Sequence, residues 1–338
     1  MKHLSYHYIV ALLAACLLSV GMTSCTAEDD GQTTDGRTAT IRLDIPMLEA
    51  TTRITTPTKE HESKINTLRV IIESEGATTI NQKFENLTSG SSITIDNVPV
   101  GPVQMYVIAN EASLGKDYSD LKTLQADIEP KTGKVHIHDD ERACFPKRGS
   151  EMDFDVKGLP MEWMGQLTID PPTGTPQEIE VNLVRAVAKL NITMNNALSA
   201  PITINGMSFG AFFGDCLYLF HTNNLDVPDD THYAEMSYTE NISIPIKGNS
   251  SETLALYIYP SFAWKNAAQV SPYTIGFTTA AGITYRQQSF VDQWGALNSI
   301  ARNTQVNISA TLRTDTHIEI DFKVVPWEEN TVDVPPFN

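Results

Sequence analysis

The chain has 338 residues, enough for two domains of ordinary size. Its 24 Lys and Arg against 41 Asp and Glu give a formal charge of −17. That balance argues against nucleic acid as a partner, because such binding rests on neutralising phosphates with Lys and Arg; an acidic, Thr- and Asn-rich surface suits solubility outside the cell.

The first segment carries the most specific signal. Lys2 precedes an apolar run from Ile9 to Val20. The run falls short of the roughly 20 apolar residues that span a bilayer and has the length of a signal-peptide core. It closes in Gly21, Met22, Thr23, Ser24 and Cys25. This ending resembles the lipobox of bacterial lipoproteins, which implies that residues 1–24 are removed and that the Cys25 thiol is acylated. Several acyl chains anchor a protein far better than one. The acidic run Glu28, Asp29 and Asp30 resembles the surface-export signal of such lipoproteins and reads equally well as a solvated linker. Residues 26–40 contain no large apolar residue and are predicted to be a flexible tether.

Beyond the tether, a periodicity of two dominates. Ile41, Leu43, Ile45 and Met47 alternate with polar or turn residues, giving a first strand over 41–47. Leu68 to Glu73 and Val103 to Ala109 read as buried strands, with Ile93 to Ile95 between them leading into a turn. Ser119 to Ile128 predicts one short helix with Ser119 as its cap. The Pro- and Gly-rich stretch 170–176 is the best domain boundary. Strands follow over Ile179 to Leu183, Lys189 to Met194, Ile242 to Ile246 and Leu254 to Tyr259, with Val184 to Leu190 ambiguous. Two strands end the chain. Val306, Ile308, Ala310 and Leu312 share a face of the first, and Ile318, Ile320, Phe322 and Val324 share a face of the second.

Few residues suggest chemistry. Cys16 leaves with the signal peptide, so Cys144 and Cys216 remain; a disulfide between them is open, and two buried thiols are favoured because a chain of this size needs no staple. His136 and His138 followed by Asp139, Asp140 and Glu141 hold imidazoles and carboxylates, but no third ligand sits at a recognisable metal spacing, and an acidic turn is the better reading. No nucleophile elbow, phosphate-binding glycine loop or C-x-x-C pair occurs, so no cofactor, metal or enzymatic activity is expected. Trp163 and the aromatic-rich Phe209 to Phe220 are expected in cores rather than as binding platforms, and burial of Trp163 and Trp264 would weaken a glycan-binding reading.

Certain segments recur in an informative order. A strand is followed by Thr51-Thr52-Arg53, then by Glu62-Ser63-Lys64-Ile65 and a second strand. Later come Val181 to Leu190, Ile300-Ala301-Arg302-Asn303, and Val325-Pro326-Trp327. With the lipoprotein start, this order resembles the FimA-type fimbrillins and related type V fimbrial subunits of Bacteroidales across nearly the whole chain. The resemblance implies an all-β protein of two tandem, transthyretin-like β-sandwiches: residues 25–53 a lipidated propeptide holding the first strand, 54–170 the first sandwich, and 171–338 the second with terminal donor strands.

The resemblance also implies a route to assembly. An Arg-specific or trypsin-like surface protease cuts between Arg53 and Ile54, the lipidated strand leaves the outer membrane-anchored subunit, and a neighbouring fimbrial subunit fills the groove with a C-terminal strand. Lys59 is a second-choice cut and Arg42 lies within the strand. The donor is read as Ile318, Ile320, Phe322 and Val324, with 304–312 as the other candidate. A shaft or tip-proximal role is preferred to an anchor. The rivals are a monomeric glycan-binding lipoprotein and an enzyme on a β scaffold.

Overall fold

Strand-forming alternation dominates the computed structural model, which describes residues 38–45, 62–87, 91–128, 133–136, 143–144, 157–220, 225–239, 242–266, 270–314 and 316–327. Cys25, Arg53, Ile54, Lys59, Met47 and His138 to Glu141 lie outside the described residues.

The first half contributes β1 (Thr38–Asp44), β2 (Thr67–Ser74), β3 (Ala77–Glu85), β4 (Ser92–Pro99), β5 (Gly101–Ala109), helix α1 (Leu121–Ile128), β6 (Val135–His136), β7 (Ala143–Cys144), β8 (Met161–Ile169), β9 (Gln177–Glu180) and β10 (Val184–Arg185). One sheet runs β4-β1-β9 and the facing sheet β10-β8-β5-β2-β3. Ile41, Leu43, Val70, Ile72, Met105 and Val107 fill the space between them. β9 and β10 lie beyond the 170/171 boundary expected from the sequence and pair with β1 and β8 of the first sandwich. Helix α1 starts two residues later than the expected 119–128. Asp120 caps it, its carboxylate accepting from the Lys122 amide at 3.0 Å and the Thr123 hydroxyl at 3.2 Å. An anionic cap at a helix N-terminus is favoured by the helix dipole as well as by the hydrogen bond.

The second half adds β11 (Ala188–Asn196), β12 (Ile202–Gly214), β13 (Cys216–Leu217), β14 (Tyr233–Tyr238), β15 (Ile244–Ile246), β16 (Ser250–Ile258), β17 (Thr274–Thr279), β18 (Thr284–Ser289), β19 (Val291–Asp292), β20 (Gly295–Ala296), β21 (Thr304–Leu312) and β22 (Ile318–Pro326). One sheet runs β22-β21-β11-β16-β7 and the facing sheet β14-β12-β17-β18, with β15 also pairing with β12. The stretch that is ambiguous in sequence, 184–190, is strand on both sides of a short break. Phe209, Phe212 and Phe213 are buried in the core, Phe209 meeting Phe213 edge-on at 5.5 Å. Between them Gly210 lets the Pro272 backbone pass close by, since a Cβ there would lie 2.1 Å from the Pro272 carbonyl oxygen.

The two sandwiches are stitched together. β6 pairs with β13 and β7 with β16, so a segment from the first half extends the second. A third apolar cluster, including Tyr118, Leu159, Val187, Leu217, Tyr257 and Trp327, lies where they meet.

Cys216 is a buried free thiol bonded to Thr231 Oγ1 at 3.4 Å. Burial pushes its pKa up to about 11. The folded protein at pH 8 therefore holds little thiolate there, and iodoacetamide followed by peptide mass spectrometry is expected to find Cys216 labelled only after denaturation. Prompt labelling of the folded chain would contradict this burial.

Candidate functional site

The candidate site is the seat of β1. It is the middle strand of its sheet: antiparallel to β4, with Ile41 opposite Ile95 and Leu43 opposite Ile93, and parallel to β9, with Leu43 opposite Ile179. Its C-terminal end is tied in on both sides, the Ile45 amide donating to Ser91 O at 3.3 Å and the Val181 amide to Asp44 O at 2.9 Å. Ala39, Ile41, Leu43 and Ile45 point into the core, and all four are buried. Each fully buried Ile or Leu contributes about 1.5–3 kcal/mol by leaving water. The outward residues are polar, with the Thr40 hydroxyl donating to Asp96 Oδ1 at 2.8 Å. The strand starts at Thr38, three residues before the expected Ile41, with Ala39 buried as the first residue of the inward row.

Among the described residues, β4 and β9 have no strand partner but β1. Taking β1 away therefore leaves two unpaired strand edges facing each other across an apolar trough. Such edges are templates for another strand.

The expected donor row occupies β22. Ile318, Ile320, Phe322 and Val324 lie directly opposite Leu312, Ala310, Ile308 and Val306 of β21. Their cover thins along the strand, from 2% exposure at Ile318 to 44% at Val324. β22 ends its sheet, whereas β21 lies inside it between β22 and β11.

Four segments singled out in the sequence converge at one place. The Glu62 carboxylate is fully buried. It accepts from Lys189 Nζ at 2.8 and 3.1 Å and from the Tyr257 hydroxyl at 2.6 Å, and the Glu62 carbonyl accepts from Arg185 Nε at 3.0 Å. The Trp327 ring is stacked on Tyr257 at 5.8 Å with an interplanar angle of 10°. Arg185 Cζ lies 4.7 Å and Lys189 Nζ 5.8 Å from its centroid. Asn303 accepts the Trp327 amide at 3.0 Å. Nearby, Arg302 forms a buried ion pair with Glu162, bridging the two sandwiches. Sequence reasoning singled out these segments but assigned no role to Glu62, Arg185 or Lys189, since a buried charge and a solvated one look alike in a sequence.

The other candidates settle into structural positions. Trp163 and Trp264 are half-buried and packed against the two cores. The aromatic that sequence reasoning passed over is Trp294, 86% exposed in the turn between β19 and β20. His136 lies opposite Cys216 in the short β6–β13 ladder. Among the described residues, no group of three or more His, Cys, Asp or Glu is placed to hold a metal ion.

Comparison with known proteins bears on this arrangement. The fold is similar to the tip fimbrial protein Mfa3 of Porphyromonas gingivalis, at a TM-score of 0.52 and 13% identity over 86% of this chain and 100% of that one. It is also similar to a candidate cell adhesion protein of Bacteroides eggerthii, at a TM-score of 0.53 and 13% identity over 86% and 97% of the two chains. A third match is a FimA fimbrilin of Porphyromonas gingivalis, with a TM-score of 0.48 and 13% identity over 87% and 98%. No curated protein matches the chain by sequence. The model of a family described as fimbrillin-A associated anchor proteins Mfa1 and Mfa2 matches residues 51–333. The chain belongs to this family of fimbrial proteins.

Proposed function

We infer that the protein is a structural subunit of a cell-surface fimbria that supports adhesion and assembles by strand exchange. In this reading the precursor is held at the outer membrane through lipid on Cys25. A trypsin-like surface protease cuts between Arg53 and Ile54, β1 leaves with the lipid, and a C-terminal strand of a neighbouring subunit takes its seat. One observation carries the reading: among the described residues, the first strand is the middle strand of a sheet whose other members have no strand partner but β1.

Of the two candidate donors, β22 fits better than β21. β22 is an edge strand whose withdrawal leaves its sheet continuous, whereas withdrawing β21 would separate β22 from β11. The row Ile318, Ile320, Phe322 and Val324 matches the alternation of Ala39, Ile41, Leu43 and Ile45, and its partly exposed end gains cover in the groove. Release of a strand held along its whole length is slow, which gives the polymer kinetic stability.

Limited trypsin digestion of the chain lacking residues 1–24, with N-terminal sequencing and sizing, tests this. The expected product begins at Ile54 and runs as a ladder of oligomers, while Arg53→Ala stays uncut at this position and monomeric. A second reading, an anchor subunit that keeps its lipid and β1, is favoured by the description of the family itself. It would be marked by an Arg53 bond that resists the protease or by a cut product that stays monomeric with β1 bound.

A further inference from the structure

We propose that Trp327 is a latch that holds β22 in its own domain, and that Glu62 is the residue that keeps the latch seat assembled. This deepens the strand-exchange reading and rests on it for its consequence in assembly, although the latch itself stands on geometry alone.

The seat is built from three side chains. Tyr257 supplies the floor on which the indole lies parallel, and Arg185 and Lys189 bring positive charge to the ring, a favourable contact for an aromatic face. None of the three is held in place by Trp327 alone. The Glu62 carboxylate fixes both Lys189 Nζ and the Tyr257 hydroxyl, and its carbonyl fixes Arg185 Nε. With the carboxylate absent, Lys189 would be a buried ammonium without that counter-charge, and the seat would have to rearrange.

Position in the chain gives the cluster its meaning. Trp327 directly follows β22, so its seating fixes the C-terminal end of that strand, where Val324 is 44% exposed and apolar cover is thinnest. Glu62 stands nine positions after Arg53, at the start of what a cut there would leave. In a chain cut there, the segment that follows the cut and the residue that follows β22 would thus meet across the same Lys189 and Tyr257 side chains. The latch is also built to open. The indole Nε1 is buried with no acceptor among the described residues, a cost that offsets part of the stacking.

The test compares Trp327→Ala, Trp327→Phe, Glu62→Gln and, as a control, Trp294→Ala, by hydrogen exchange with mass spectrometry on the chain lacking residues 1–24. Trp327→Ala is expected to raise exchange of the β22 amides at least tenfold with β11 unchanged. Glu62→Gln should act in the same direction to a smaller extent, and Trp294→Ala should do nothing. Should Trp327→Ala unfold the domain, Trp327→Phe, which keeps a ring on Tyr257, gives the same comparison at intermediate strength. Wild-type exchange in β22 of Trp327→Ala, or of Trp327→Phe where Ala unfolds, would overturn the latch. Sizing after cleavage at Arg53 separates the two ideas. A loosened β22 with faster assembly supports both, whereas a loosened β22 with no assembly in any variant supports the latch and defeats strand exchange.

Discussion

Replacing Arg302 by Met is expected to destabilise the protein by about 3–5 kcal/mol, the range for removing one partner of a buried ion pair. Arg302 is fully buried, pairs with Glu162 of β8 and donates from Nη2 to Tyr218 O at 2.8 Å. Glu162 also accepts the Phe220 amide at 2.9 Å, so the pair ties β8 of the first sandwich to the approach to β21 of the second. Without the guanidinium, the carboxylate stays in a site that has already lost its water. Adding Glu162→Leu should recover part of the loss, because it removes the uncompensated charge while leaving the Phe220 amide without its acceptor. Urea melts followed by tryptophan fluorescence measure both. Equal losses in the single and the double variant would mean that the charge pair is not the source of the effect.

A second large effect is expected at the seat of β1. Leu43 is fully buried between Ile93 and Ile179. Leu43→Asp forfeits about 1.5–3 kcal/mol of burial and adds the cost of placing a carboxylate in an apolar core. The strand should then spend much of its time outside the groove, and the uncut chain should behave as a cut one, forming oligomers without protease. Combining Leu43→Asp with Phe322→Asp should return it to a monomer by spoiling the donor as well. Sizing chromatography of the uncut proteins reads this directly. Oligomers that persist in the double variant would point to ordinary aggregation and away from β22 as the donor.

Much of the fold was legible because an alternating strand with one buried face writes itself into sequence. β21 and β22 announce themselves in this way, whereas β2 and β5 were legible as short continuous apolar runs. β3 does not, since ATTINQKFE is largely exposed and carries few apolar residues to set a period. β12 escapes for the opposite reason, being buried on both faces over much of its length, so its run of aromatics has no alternation to read. At the site, the inward row of β1 was visible from Ile41 onward, whereas its place in the middle of a sheet depends on partners some 55 and 135 positions away. The charged cluster around Glu62 was hidden entirely. Its members lie in four separate segments, and only the fold shows that Lys189 and Tyr257 are aimed at the Glu62 carboxylate and Arg185 at its backbone carbonyl.

The parallel pairing of β1 with β9 has a consequence for any polymer. A strand that reproduces the β1 hydrogen bonds must enter along the same direction as β9, so every junction repeats one orientation. Contacts of this kind join unlike surfaces and do not close into a ring unless the rotation happens to allow it. A fibre built by such exchange would have polarity: one end would carry a groove that nothing fills and the other a strand that nothing has accepted, so growth and capping would be chemically different events at the two ends.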